Sequence, residues 1–220
     1  MENPRNVAGM ARYGINPKNT LGVSIPVLRK MAREIGKDHD LAAELWVSGI
    51  HETRILATLI DIPVEVTESQ MDGWAGEFDS WDICDQCCSN LFSRTQFAYK
   101  KTSEWCVDER EFVKRAGFVM MAALAVKDKK AEDEEFDSFF ASIKAGALDN
   151  RNFVKKAVNW ALRQIGKRNQ ALNRKAIAAA EEIRKMDSPS ARWIAADALR
   201  ELNSPAVQAR LKRTSNREAK

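Results

Sequence analysis

The chain has 220 residues, of which 45 % are hydrophobic and 30 % are charged, a balance that is typical of a folded globular protein and excludes an intrinsically disordered one. No stretch approaches the roughly 18 apolar residues of a membrane-spanning helix, and the N-terminal segment lacks the basic start and apolar run of a secretory signal, so we expect a soluble intracellular protein. The net charge of +4 is unevenly distributed, because residues 151–220 carry 17 Lys and Arg against 6 Asp and Glu, whereas residues 1–150 carry 18 against 25. We therefore expect the basic last third to face a polyanion.

Apolar residues recur at helical spacing in one segment after another, as at Phe112, Ala116 and Val119. No segment alternates polar and apolar residues for long enough to indicate a β-strand. Turn-forming residues separate the segments at Asn16-Pro17, Ile62-Pro63, Gly146, Asp149-Asn150, Ser188-Pro189 and Ser204-Pro205. In the last two pairs a serine that can cap a helix stands directly before a proline, which predicts helix starts at Pro189 and Pro205. The sequence therefore predicts an all-α protein.

The segment FDSWDICDQCCSN predicts a helix that carries an unusual pair of side chains. Asp79 or Ser80 can cap this helix, and Asp82 then lies in its first turn, where a carboxylate is stabilised by the positive end of the helix dipole. Asp85 follows Trp81 by four residues, so an acid and an indole share one face of the helix. Either Asp85 forms an ion pair with an arginine across a helix interface while Trp81 fills the core, or the two residues belong to a functional site.

The same segment contains three of the four cysteines, Cys84, Cys87 and Cys88, and only Cys106 lies elsewhere. This distribution is a poor disulfide framework. A Cys-x-x-Cys metal or redox site is an alternative, but no histidine is near in the sequence and no second Cys-x-x-Cys follows. We interpret the cysteines as buried thiols and predict neither a metal nor a cofactor.

Three later helical segments resemble one another in sequence. They are VKRAGFVMMAAL (113–124), VKKAVNWALRQI (154–165) and ARWIAADALREL (191–202), and ETRILATLID (52–61) resembles an earlier member. The three later segments lie about 37 to 41 residues apart, close to the length of HEAT and armadillo units. The predicted fold is an α–α superhelix of HEAT-like repeats, a curved solenoid with a basic concave face. We expect a single HEAT-like repeat domain over residues 1–220, with 210–220 as a frayed basic tail.

Two of these segments also contain the residues that a nucleic-acid site would need. Lys114 and Arg115 begin one helix, and a second helix carries Lys155, Lys156, Trp160 and Arg163. Each has an ordinary structural interpretation, as a solvated lysine, a core tryptophan or an arginine in an ion pair. A basic stack with tryptophans nevertheless suits nucleic acid, because cations bind phosphates while indole rings contact sugars or bases. A carboxylate in such a groove repels phosphate, so it is either a structural partner or it stabilises something positive.

These motifs together resemble the AlkD-like family of DNA alkylation repair glycosylases, which are HEAT-like repeat proteins. The resemblance runs from about Met10 to Leu202 and rests on four motifs in a fixed order. They are LGVSIPVLRKMAREIG (21–36), the S-W-D-x-x-D element (80–85), the K-R-A helix start (114–116) and FVKKAVNWALR (153–163).

The resemblance implies a role for each matching residue. It implies that Asp85 is the catalytic carboxylate, that Trp81 and Trp160 border the lesion, and that Arg115 contacts the DNA. Lys114, Lys155, Lys156 and Arg163 are then expected to bind phosphates. The implied reaction is hydrolysis of the N-glycosidic bond of cationic N3- or N7-alkylated purines in duplex DNA. The resemblance further implies that the lesion need not be flipped into a deep pocket, unlike in the usual base-flipping glycosylase.

Two other functions stay open from the sequence alone. The first is a catalytically silent protein that binds bent, branched or damaged DNA. The second is a protein-interaction scaffold, which is a common role for helical solenoids. The expected partner is double-stranded DNA with alkylated purines, without a membrane or metal, and a monomer is the simplest state for such a solenoid. We expect a cytoplasmic location, with the nucleoid as the site of action if the source is bacterial or archaeal.

Overall fold

The computed structural model describes residues 2–218, with side chains up to residue 213, and these residues form helices and no β-strand. They divide into two compact units, one ending at Ala98 and one beginning at Tyr99. The first unit contains α1 (Pro4–Arg12), α2 (Ile25–Ile35), α3 (His39–Val47), α4 (His51–Ile60), α5 (Glu68–Gly76), α6 (Trp81–Asn90) and a 3-10 helix (Phe92–Arg94). Helix α7 (Ala98–Trp105) begins at the boundary, and the second unit continues with α8 (Glu111–Lys127), α9 (Asp133–Asp137), α10 (Phe139–Gly146), α11 (Asn152–Gly166), α12 (Gln170–Arg184), α13 (Pro189–Leu202) and α14 (Pro205–Glu218).

Helix α4 is the centre of the first unit, where it packs against α2, α3 and α6. An aromatic cluster fills the core beside it, with the rings of Trp46 and Trp74 stacked at 4.0 Å and Phe78 at the edge of Trp46. The helix starts follow local capping chemistry. Asp38 caps α3 by accepting from Leu41 N at 2.9 Å, and its short polar side chain satisfies one of the helix's unpaired N–H groups.

The loop before α2 is held by a buried carboxylate of α4. Glu52 is 2 % exposed, and its two oxygens accept hydrogen bonds from the backbone N–H groups of Leu21, Gly22 and Val23 at 2.8, 2.6 and 3.2 Å. Such a carboxylate replaces its hydration shell with fixed backbone donors, which is the condition under which a buried charge is tolerated. Gly22 has a φ of 76°, a conformation that favours glycine. Glu52 therefore fixes the segment that carries α2.

Helices α8 and α11 form the core of the second unit. Most of α8 is buried, and it packs lengthwise against α11, which in turn packs against α12 and α13. The close approach depends on small residues. A Cβ built on Gly117 would lie 2.7 Å from the Cα of Cys106, and one on Gly166 would lie 2.8 Å from the Cβ of Ala176. These contacts leave no room for a larger side chain.

The predicted repeats correspond to helices of the second unit. The three similar segments fall in α8, α11 and α13, and α11 contacts both of the others. The helix starts predicted at Pro189 and Pro205 are confirmed, and Ser188 caps α13 by accepting from Ala191 N. The backbone is helical to Glu218, while residues 219 and 220 of the predicted tail lie outside the described part of the chain. Fraying of the tail and the single domain over 1–220 stay predictions.

The cysteines are buried, as predicted. Burial raises the pKa of the Cys87 thiol well above its ordinary value, which makes it a poor nucleophile at neutral pH. Among residues 2–218, no group of three or more His, Cys, Asp or Glu side chains is arranged to hold a metal ion. Over the same residues, no helix is both long enough and apolar enough to cross a membrane.

Candidate functional site

Helix α6 presents two different sides. Ile83, Cys84, Cys87 and Cys88 are buried and anchor the helix in the core of the first unit. This anchoring fixes the direction in which the remaining side chains of the helix project.

Asp82 lies in the first turn of α6, as predicted, and Ser80 occupies the N-cap position. The carboxylate of Asp82 also belongs to a hydrogen-bonded group that could not be predicted from the sequence. Ser80 Oγ donates to Asp82 Oδ1 at 2.8 Å, and His51 Nε2 of α4 lies 2.8 Å from Asp82 Oδ2. Asp79 has a separate partner, because Asn16 Nδ2 donates to its Oδ2 at 2.6 Å. These contacts give Asp79 and Asp82 structural roles in joining parts of the first unit.

Trp81 and Asp85 share a face of α6 one turn apart, and both are half-buried. The indole is held in place because Trp81 Nε1 donates to the carbonyl of Tyr13 at 2.9 Å. A positioned indole and a partly accessible carboxylate on a helix anchored in the core form a rigid surface. This surface is suited to holding a sugar and a positive charge beside it.

A cavity of about 870 Å³ lies beside this part of α6, within the first unit. Helix α1 forms much of its wall with both apolar and charged residues, among them Met10, Arg5 and Arg12, and His51 of α4 lies in the wall close to Asp82. Trp81, Asp82 and Gln86 line it from α6, whereas the residues that line it do not include Asp85. The lining thus extends along the indole but not to the predicted catalytic carboxylate.

The second unit contains the six remaining predicted residues, of which Lys114 and Arg115 begin α8. Lys114 Nζ forms an ion pair with Asp149 at 3.2 Å. Arg151 also pairs with Asp149 and, together with Lys114, lowers the pKa of that carboxyl to about 2. Arg115 is only 5 % exposed, and its guanidinium donates to the carbonyl of Phe153 at 2.6 Å. Both cations therefore have partners inside the protein.

Helix α11 carries the other four predicted residues. Lys156 and Trp160 recur at helical spacing on one face, with Lys156 exposed and Trp160 half-buried. Arg163 Nη1 pairs with Asp197 and Glu201 of α13 at 3.2 and 2.6 Å. Lys155 Nζ lies 5.2 Å from the centre of the Trp193 ring, a cation–π distance. The structure therefore places Lys156 and Trp160 on one face of α11, and Lys155 and Arg163 at the seam where α11 packs against α13.

The seam between α11 and α13 is a regular ladder of polar contacts. Lys155 makes a cation–π contact with Trp193, and Asn159 Nδ2 donates a hydrogen bond to Asp197 at 2.7 Å. Arg163 and Lys167 both donate hydrogen bonds to the carboxylate of Glu201. Most of these contacts join residues about 38 positions apart, which is one repeat length. The ladder neutralises the C-terminal part of α11 and leaves the start of the helix basic.

The structure contains functional candidates that the sequence analysis missed. Glu52 begins the segment 52–61, which was noted only for its likeness to the later repeats, and His51 directly precedes it. The partners of both residues come from elements distant in the chain. Trp193 could have been found from the sequence, because it stands beside Arg192 at the start of a repeat helix.

Comparison with known proteins agrees with this description. A family model for the DNA alkylation repair enzyme family matches residues 1–219. A search of curated proteins found no match. A solved structure of a protein described as belonging to "a new family of proteins related to the HEAT-like repeat DNA glycosylases with affinity for branched DNA structures" superposes with a TM-score of 0.74. It is 19 % identical and the match covers 88 % of this chain and 87 % of the other.

The structural likeness confirms the predicted all-α fold of HEAT-like repeats. The family match covers nearly the whole chain and contains every residue of the predicted site. The chain therefore belongs to the DNA alkylation repair enzyme family.

Proposed function

We propose that the protein is a DNA glycosylase that hydrolyses the N-glycosidic bond of cationic N3- or N7-alkylated purines in duplex DNA. The observation that carries this proposal is the Trp81–Asp85 pair on α6, anchored by the buried face of the helix. Membership of the DNA alkylation repair enzyme family supports the same chemistry.

The charge of the substrate explains why one carboxylate suffices. An N3- or N7-alkylated purine is already positive, so its glycosidic bond can break without protonation of the leaving group. The bonding electron pair goes to the base and neutralises it, while the sugar becomes an oxocarbenium-like cation. A water molecule then adds to C1′ and loses a proton, which leaves an abasic site. Asp85 is proposed to stabilise the sugar cation and to orient this water.

The electrostatic stabilisation that one carboxylate can give to the sugar cation is large enough to accelerate the reaction substantially. A carboxylate about 4 Å from a unit positive charge contributes roughly 4 kcal/mol at an effective dielectric constant of about 20. If that interaction exists only in the transition state, it corresponds to about a thousandfold in rate.

The remaining residues are proposed to bind the DNA. Trp81 and Trp160 contact deoxyribose through their rings, and Lys155 and Lys156 bind phosphates. Lys114 and Arg163 are proposed phosphate ligands that must exchange an internal carboxylate for a phosphate, because they pair with Asp149 and with Asp197 and Glu201. Arg115 is proposed to contact one phosphate, for which its guanidinium must leave its buried contact with the carbonyl of Phe153.

The test is release of modified bases from three otherwise identical duplexes. One carries 7-methylguanine, one carries 3-methyladenine, and one carries 1,N6-ethenoadenine, a neutral lesion. We expect single-turnover release from the two cationic substrates and none from the neutral one, because a neutral base requires an acid for departure. Release of the neutral lesion at a comparable rate would contradict the proposed mechanism.

A second candidate function is binding to branched DNA without catalysis. The description of the structural neighbour, which has affinity for branched DNA structures, favours it. This function predicts tight binding to forked duplexes with no base release from any of the three substrates. The same assay, run beside a binding measurement, therefore separates the two candidates.

A further inference from the structure

Trp193 is an exposed indole in the most basic part of the chain. It lies on α13 with 41 % of its surface accessible, and among the described side chains of residues 151–213 it is the one large apolar side chain that is exposed. Isolated exposed apolar residues are common and need no explanation. The surroundings of Trp193 distinguish it from them.

One cation lies against the indole of Trp193, and two more directly neighbour the contacting residues in the sequence. Lys155 Nζ of α11 lies 5.2 Å from the ring centre, Arg192 directly precedes the tryptophan, and Lys156 is the exposed neighbour of Lys155. Arg192 pairs with Asp187, a carboxylate whose side chain is fully exposed. A flat apolar ring among lysines and arginines is complementary to a polyanion that also offers aromatic faces, and nucleic acid has both properties.

The repeat pattern shows which residues of the earlier repeats correspond to Trp193. When VKRA, VKKA and ARWI are aligned, Arg115, Lys156 and Trp193 occupy the same repeat position. Arg115 also contacts Phe153, and Lys155 contacts Trp193, and each contact joins residues 38 positions apart, which is close to one repeat length. Arg115 and Lys156 are proposed above as phosphate contacts. Trp193 is the equivalent residue one repeat after Lys156, and it carries an aromatic ring in place of a cation.

We propose that Trp193 is a stacking platform for an unpaired DNA base and gives the protein a preference for DNA that is branched, nicked or gapped. A base inside continuous duplex is stacked on both faces and has no free face for the indole. A base at a branch point or strand end does have one, and Lys155 and Lys156 bind the phosphates beside it. The inference rests on the DNA binding of the proposed function and is independent of its catalytic step.

The experiment compares a forked duplex with a linear duplex of the same sequence and at the same salt concentration. Dissociation constants are measured for the native protein, Trp193→Ala, Trp193→Phe and Leu148→Ala, which removes an exposed apolar side chain elsewhere in the second unit. The unpaired base at the fork is 2-aminopurine, whose fluorescence falls when it stacks. Thermal unfolding of each variant shows whether it is folded.

We expect Trp193→Ala to weaken binding to the fork by about tenfold or more, in line with base–aromatic stacking energies, and to change binding to linear duplex by less than about twofold. The quenching of 2-aminopurine should be lost in this variant and largely kept in Trp193→Phe, because the phenyl ring can still stack. Leu148→Ala should behave like the native protein. Equal losses on both DNAs would make the indole a general duplex contact, and no loss on either would leave it exposed to solvent or to a protein partner. Either result would overturn the inference.

The outcome is distinguishable from that of the proposed function. If the native protein releases no base but its fork binding depends on Trp193, the glycosylase proposal fails and this inference stands. If it releases bases and fork binding is indifferent to Trp193, the inference fails alone.

Discussion

Asp82 and Asp85 lie on the same helix three residues apart, yet their surroundings differ. Asp82 is engaged by Ser80 and by His51 of α4, and Asp85 is half-buried on the face of the helix that carries Trp81. The sequence predicted that Asp82 lies in the first turn of the helix, where the structure has it, and the catalytic role of Asp85 stays a prediction. The contact with His51 was not predictable, because it joins residues 31 positions apart and depends on how α4 packs against α6.

A second residue pair in the first unit gives stability a pH dependence. Asp61 is fully buried and its Oδ1 lies 2.6 Å from His39 Nδ1. The hydrogen bond to Asp61 is the main cause that raises the pKa of His39 above its ordinary value of 6.5. Because the pKa is raised in the folded state, the stabilisation is fully present below the unfolded pKa and is lost as pH rises through the folded pKa.

We therefore expect His39→Gln to destabilise the protein at about pH 5.5 more than at about pH 8.5. As His39 is partly exposed, the difference should not exceed about 1 kcal/mol in the free energy of unfolding. Urea unfolding at the two pH values measures it. An NMR titration tests the cause directly, since the chain has only two histidines to assign. A folded-state pKa at or below 6.5 would contradict the prediction.

At the scale of elements, helix starts were predictable and side-chain partners were not. The Ser188-Pro189 and Ser204-Pro205 pairs predicted the starts of α13 and α14 correctly, because capping and proline chemistry is local. Arg163, in contrast, pairs with carboxylates of α13, which lie one repeat further along the chain. The repeat length of about 38 residues could have suggested such pairs, but their geometry requires the packed helices.

Helix packing in the second unit depends on Gly117. A Cβ at this position would lie 2.7 Å from the Cα of Cys106, which is backbone and cannot move aside as a flexible side chain can. We expect Gly117→Ala to destabilise the protein by about 1–3 kcal/mol, the usual range for overpacking. Thermal or urea unfolding measures the change.

Gly73 is the matched control, because it lies within α5, is exposed, and has nothing within 4 Å of an added Cβ. Gly73→Ala should stabilise the protein by about 0.5–1 kcal/mol through helix propensity. A Gly117→Ala variant as stable as the native protein would show that α8 can shift without loss of packing.

At the scale of the whole molecule, the sequence predicted the fold class because helical periodicity runs through most of the chain and a repeat of 37 to 41 residues recurs over 113–202. Charge was informative in the same way, since the excess of 17 basic over 6 acidic residues in 151–220 needs no structure to be seen. The distribution of this charge along the helices, in contrast, can be seen only in the structure. The carboxylates Asp197 and Glu201 neutralise the end of α11, while its start, with Lys155 and Lys156, stays basic.

The central claim is that the carboxylate of Asp85 stabilises a cation during base release. The most direct test is the single-turnover rate of 7-methylguanine release from methylated duplex DNA by the native protein, Asp85→Asn and Asp79→Asn. The control changes the charge of an exposed aspartate six residues earlier, whose described partner is Asn16. We expect Asp85→Asn to lower the rate by about a hundredfold or more while DNA binding is kept or strengthened, and Asp79→Asn to stay within about threefold of the native rate. Native-like release by Asp85→Asn would contradict the account.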